Sequence, residues 1–217
     1  MIAIAGGKGG CGKTTTTVAL ARALARRRDA TPLAADADWD MPNLHALAGA
    51  TSTPSLAALG DAASPRAVAQ FVGDPPIGVL PAPTGEAEAR QARTIESLRD
   101  RTRRAPVLVD CPAGAGRDAA RPLRVADGVV LVSTAAPASL RDAAKTAAMA
   151  ETLGTPILAA AVTRTRTVPG GASRLLGTDR LVPVPEADAP LDDQGVRRAS
   201  AELADLVDRS ANRTPVD

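Results

Sequence analysis

The chain has 217 residues, of which 45% are apolar and 23% charged, and its formal net charge is +2. That length suits one domain with a real core, and so small a charge excludes bulk electrostatics as the basis for binding nucleic acid or membrane. Two cysteines cannot make a disulfide framework, and no run approaches the roughly 18 apolar residues of a membrane-spanning helix.

The opening MIAIAGG is a short apolar strand over residues 2–5, without the basic region of a secretory leader. A reduced, cytoplasmic setting is the expectation. Residues 13–28 carry helical spacing, followed by a strand over 32–36. The Ser/Thr/Pro/Gly-rich stretch 51–65 reads as a loop, 64–72 as a helix and 77–82 as a strand. A helix over 86–104 leads into strands at 106–110 and 128–133. Helix 138–153, strand 156–162, loop 167–173, strand 180–184 and helix 191–209 complete the order, with 210–217 as a flexible tail. Several strands are apolar on both faces, the mark of a parallel sheet covered by helices. The expected architecture is a single α/β domain over 1–209, doubly wound, with a mostly parallel sheet flanked by helices. Trp39 and Phe71 are the only aromatic residues, so the core must be built from Ala, Val, Leu and Ile, packed closely.

Between the first strand and the first helix lies Gly7-Lys8-Gly9-Gly10-Cys11-Gly12-Lys13-Thr14, which fits G-x-x-x-x-G-K-[ST] in the strand–loop–helix setting the motif requires. Glycines let backbone N–H groups approach phosphate oxygens, and the helix N-terminus adds its positive dipole end. This gives a P-loop NTPase fold in which Lys13 reaches the β- and γ-phosphates, Thr14 binds Mg²⁺, and Thr15 joins the cofactor-binding residues. Lys8 is unexplained by this scheme, and the chain has only three lysines against 23 arginines. It is either a solvated loop residue or a second functional cation.

A Mg²⁺–nucleotide site needs carboxylates at neighbouring strand ends. PVLVDCPAG supplies Asp110 and PLAADADWD supplies Asp36, Asp38 and Asp40. Asp36 and Asp110 are the candidates for the metal; for Asp36 or Asp38 alone, a structural cap is an equal alternative to chemistry.

KGGCGKTT with its early lysine resembles the deviant Walker A motif of the MinD/ParA ATPases. DADWDMPNL, with Asn43-Leu44, resembles that family's second acidic motif, and LVDCPAG its Walker B and switch segment. ADGVVLVSTAAPASLRDAAK is similar to a later strand and helix start of MinD-like members, through Pro137, Ser139, Arg141 and Asp142. The resemblance runs to about residue 165. It implies an ATPase that binds ATP and Mg²⁺ and dimerises face to face around two nucleotides. Hydrolysis is then slow until a protein activator accelerates it, so that the chain works as a positioning or recruitment switch for a cargo. Lys8 would reach across to the partner's phosphates, Asp38 would orient water, and Asp110 would hold Mg²⁺ through a water. Other readings are a DNA-partitioning ATPase, a nucleotide-gated binding module with negligible turnover, or an enzyme transferring phosphate to a small molecule.

The chain departs from that pattern where an Asn-Arg pair usually reads the base: Thr163-Arg164 stand there, and Pro185 and Glu186 are the expected contacts from the following loop. The last helix has a stripe (Val196, Ala199, Leu203, Leu206) suited to packing on the sheet, with no interfacial membrane anchor. Arginine-dense 25–30 and 99–106 allow DNA binding but equally complement helix C-termini. Cys11 and Cys111 are expected as small buried residues, His45 as a surface or cap residue, and Trp39 as either a partner anchor or a packing residue.

Overall fold

The computed structural model describes residues 1–27, 30–60, 62, 64–83, 88–102 and 106–211. In chain order the elements begin β1 (Ile2–Ala5), α1 (Lys13–Ala25), β2 (Leu33–Asp36), α2 (Leu44–Ala48), a 3₁₀ turn (Leu56–Gly60), α3 (Pro65–Val68), β3 (Gln70–Val72), β4 (Ile77–Leu80) and α4 (Glu88–Arg101). They continue with β5 (Val107–Asp110), α5 (Arg117–Val125), β6 (Gly128–Thr134), α6 (Pro137–Thr152), β7 (Ile157–Thr163), α7 (Ala172–Leu176), β8 (Leu181–Val184) and α8 (Gln194–Ala211). The expected helix start at 86–87, residues 103–104 of the same helix and most of the tail over 210–217 lie outside the described residues.

The strands form one sheet in the order β3-β4-β2-β5-β1-β6-β7-β8. Every neighbouring pair is parallel except β3 with β4. From β1 the chain winds outward through β2 to β4, returns to insert β5 beside β1, and then winds the other way through β6, β7 and β8. The reversal at β1 opens a crevice beyond the carboxyl ends of β1 and β5, where the glycine loop sits. All seven expected strands are present.

The eighth strand, β3, replaces the second half of the helix expected over 64–72. Ala69 is extended (φ −64°, ψ 138°), so α3 stops after one turn. Gly73, at φ +82°, then reverses the chain into β4, pairing Val72 with Ile77. Phe71 favours a strand and lies under the guanidinium of Arg66, 5.1 Å from its ring centre. The unexpected α5 was concealed by Pro122, which ordinarily interrupts a helix. Short helices α2 and α7 fall below the length at which periodicity can be read.

Side chains alternate between the two faces of the sheet. Ile4, Ala34, Leu108, Val130 and Ala161 meet α1 and α8 on one side. Ala3, Ala5, Val129 and Leu131 pack with Leu123 of α5 and Leu140 of α6 on the other, where Val109 also meets Ile95 and Leu98 of α4. Ala159, Ala160 and Ala161 are completely buried in β7; small side chains bring helix backbones close to the sheet, as a core this poor in aromatics requires. Cys11 and Cys111 are free, buried and on opposite faces.

Leu24 of α1 is fully buried against this core. Leu24→Ala should lower stability by about 2–5 kcal/mol, read as a lower urea midpoint with an unchanged denaturant slope.

Candidate functional site

The loop joining β1 to α1 is shaped by its glycines for different reasons. Gly12 sits at φ +96°, left-handed geometry that only glycine adopts at little cost, and its carbonyl accepts the Thr16 N–H (2.8 Å) to start α1. A Cβ on Gly7 would lie 2.1 Å from the backbone carbon and oxygen of Asp142, so the loop rests directly on the first turns of α6. Gly9 and Gly10 face open space instead, leaving their backbone uncovered. Lys13 is almost buried, and its Nζ donates back to the Lys8 carbonyl (3.4 Å). Lys8 is exposed. Its charge contributes to holding the Asp142 carboxyl below the usual range, after the larger effect of Lys145.

Two carboxylates face each other below the loop, because the register of β2 and β5 sets Asp36 beside Asp110. Burial pushes Asp110 up to about 7, the neighbouring Asp36 charge adds to this, and hydroxyls of Thr14 and Thr17 with the Lys13 ammonium oppose it. Thr17 Oγ1 donates to Asp110 Oδ1 at 3.3 Å. Burial likewise raises Asp36 to about 6, although its oxygens accept the N–H groups of Asp38 (3.0 Å), Asn43 (3.1 Å) and Leu44 (3.1 Å). Asp36 thereby folds the 37–43 loop around itself. Asp38 accepts the Met41 N–H (3.1 Å) in that loop, and Thr14 Oγ1 donates to Asn43 Oδ1 (3.0 Å), joining the loop to α1.

Beside the glycine loop lies a cavity of about 250 Å³ whose walls include Gly12, Thr15, Thr163, Arg164, Pro185 and Glu186. All six were expected at a nucleotide site from sequence, and the fold gathers them from three stretches of the chain, 12–15, 163–164 and 185–186. Thr163 Oγ1 donates to the carbonyls of Cys11 (2.8 Å) and Ser133 (3.2 Å), and Arg164 donates to the Gly10 carbonyl (3.0 Å).

Several participants were not expected. Val196 and Ser200 of α8 also line the cavity, and Thr17 reaches Asp110. The Thr14–Thr17 run one turn into α1 was the available signal for Thr17; nothing local marked Val196 or Ser200. Gly114, at φ +96°, donates its N–H to the Gly6 carbonyl (3.2 Å), tying the segment after β5 to the loop. Trp39 is half-buried, and its indole nitrogen finds no acceptor among the described residues; the same is true of His45 Nδ1 in α2. Within the arginine-dense stretches, Arg27 pairs with Asp205, Arg99 with Asp127 (3.2 Å), and Arg101 donates to the Leu59 (2.7 Å) and Ala62 (3.0 Å) carbonyls. Arg28, Arg103 and Arg104 lie outside the described residues. Among the described residues no helix is long and apolar enough to cross a membrane.

The arrangement can hold a polyanion at the loop, a divalent cation at the paired carboxylates and a flat group in the cavity. Residues 2–180 match the CobQ/CobB/MinD/ParA nucleotide binding domain. Over 216 residues the chain is 32% identical to an uncharacterized ATP-binding protein of Methanocaldococcus jannaschii, spanning 95% of this chain and 79% of that protein. The cell division ATPase MinD of Pyrococcus furiosus superposes with a TM-score of 0.77 at 26% identity, over 96% of this chain and 98% of that one. The septum site-determining protein MinD of Pyrococcus horikoshii, complexed with Mg-ADP, gives 0.80 at 25% identity, over 100% and 98%.

Because Asp36 and Asp110 titrate near 6 and 7 in the fold, above the ordinary 3.8, the folded state favours their protonated forms. Their contribution to stability is complete below about pH 4 and is lost as pH rises through 6 and 7. Without nucleotide or Mg²⁺, Asp110→Asn should therefore gain urea midpoint relative to wild type progressively from pH 4 to pH 8. A difference constant across that range would contradict the assignment.

Proposed function

The chain belongs to the CobQ/CobB/MinD/ParA nucleotide-binding family, and we propose that it binds Mg–ATP, pairs with a second copy across the bound nucleotides, and hydrolyses ATP slowly as a positioning or recruitment switch. The observation that carries this reading is the convergence of three features on one crevice: a glycine loop with a folded-back lysine, a carboxylate pair and a cavity of nucleotide-base dimensions. A structure 25% identical to this chain holds Mg-ADP, which supports nucleotide and Mg²⁺ as the ligands here.

In this proposal the triphosphate lies against the backbone left open at Gly9 and Gly10, with Gly7 and Cys11 shaping the loop and Lys13 supplying positive charge. Thr14 would hold the metal through its hydroxyl and Asp110 through a water, oxygen donors of the hard kind Mg²⁺ prefers. When bound, Mg²⁺ neutralises charge on the phosphate oxygens. Asp36, whose oxygens hold the 37–43 loop, acts beside Asp110 and through the position it gives Asp38. Asp38 orients the attacking water. Thr15, Thr163, Arg164, Pro185 and Glu186 surround the base.

Lys8 is the residue that points to a second copy. It stands on the exposed rim, five positions before Lys13, and its side chain has no hydrogen bond among the described residues. An added cation from a partner subunit would stabilise the transition state as an arginine finger does. The cellular site is the cytoplasm, and the switch acts on a protein activator or cargo. The internal bonds of Arg27, Arg99 and Arg101 disfavour those arginines as a DNA-binding surface.

Light scattering of Asp38→Ala in Mg–ATP should report a dimer, and in ADP a monomer; a variant that binds ATP yet stays monomeric would remove the sandwich dimer. Calorimetry should show that Lys13→Ala weakens ATP binding at least about ten-fold. Lys8→Ala should keep ATP affinity while losing dimerisation or hydrolysis. Equal loss of ATP binding in both variants would end the assignment of Lys8 to the partner's site.

A further inference from the structure

The end of β7 is bound to the glycine loop more tightly than a wall of a base pocket needs to be. Thr163 is 7% exposed, and its single hydroxyl hydrogen faces two main-chain carbonyls, Cys11 at 2.8 Å and Ser133 at 3.2 Å. A hydroxyl has one hydrogen to give, so Thr163 has no donor left for a ring nitrogen of a base. Its methyl lies 3.4 Å from where a Cβ of Gly12 would stand, so β7 packs directly on the loop. The next residue, Arg164, is in left-handed geometry (φ +56°) and donates to the Gly10 carbonyl at 3.0 Å.

Two successive carbonyls of the loop, those of Gly10 and Cys11, are thus held by two successive residues of β7 and its end. In a planar trans peptide the C=O and the following N–H point in opposite directions. Fixing these carbonyls toward β7 fixes the N–H groups of Cys11 and Gly12 away from it. Oriented successive N–H groups are what an anion-binding nest consists of.

We propose that Thr163 is a positioning residue for the phosphate loop, not a reader of the base: its hydroxyl, assisted by Arg164, presets the N–H groups that receive the phosphates. The inference rests on the nucleotide site proposed above and specifies how this chain, with threonine in place of an amide, prepares it.

The test uses three ligands with Mg²⁺: ATP, GTP and inorganic tripolyphosphate, which has no base. Affinities are measured by calorimetry for the full chain, Thr163→Val and Thr163→Ser. Thr163→Val should weaken all three by a common factor on the order of five-fold, the worth of one buried hydrogen bond, and leave the ATP-to-GTP ratio unchanged. Thr163→Ser, which keeps the hydroxyl, should restore binding. If Thr163→Val does not fold, Thr163→Cys carries the same expectation, because it keeps the volume with only a weak donor. Weakened ATP with unchanged tripolyphosphate would make Thr163 a base reader and overturn the proposal, as would failure of serine to restore affinity. A wild-type chain that binds neither ATP nor tripolyphosphate would overturn the nucleotide site itself, an outcome separate from any difference between variants.

Discussion

Asp36 and Asp110 stand side by side at the ends of adjacent parallel strands, both shielded from water. Like charges in a dry setting repel strongly, so every nearby element supplies compensation. The loop after β2 turns three N–H groups onto Asp36; α1 aims its N-terminal end, Thr17 and Lys13 toward Asp110. What remains is a site short of positive charge, which a divalent cation would complete. The path of residues 37–43, the position of Asp38 and the bond from Thr14 to Asn43 follow from this pair.

Close packing makes the pair possible. A chain with two aromatic residues fills its core with alanine, valine and leucine, and the helices lie near the sheet. The same closeness appears at the loop, where Gly7 admits the backbone of α6 and where the methyl of Thr163 approaches Gly12. Gly7 has no room for a side chain without movement of main chain, whereas at Gly12 the cost of a side chain comes from the left-handed φ of +96°. The loop is therefore held on three sides: by α6, by the Gly114 segment and by the end of β7. A loop held by its surroundings in this way has less freedom to lose when a ligand is bound.

These supports also connect the loop to parts of the molecule that face outward. The 37–43 loop carries Met41, largely exposed, and Trp39, whose indole nitrogen has no acceptor among the described residues, and it is joined to α1 through Thr14 and Asn43. Thr14 thus stands both at the site and in the contact that holds the exposed loop.

The sequence by itself determined the alternation of strands and helices, the α/β fold class and the glycine loop, because each is written in local periodicity or in a contiguous motif. It also identified Asp36, Asp38, Asp110, Thr163, Arg164, Pro185 and Glu186 as candidates for the site. It did not show that Pro122 lies inside a helix, since the tertiary packing of α5 outweighs the lost hydrogen bond. It placed a helix where Phe71 pairs in β3, because pairing with β4 is a non-local gain that no short window contains. Only the tertiary structure decided that Thr17 meets Asp110, that Val196 and Ser200 close the cavity, and that Thr163 is committed to Cys11, 152 positions away. Contacts between residues so far apart depend on the order of strands in the sheet, and that order is set by how the whole chain buries its apolar surface.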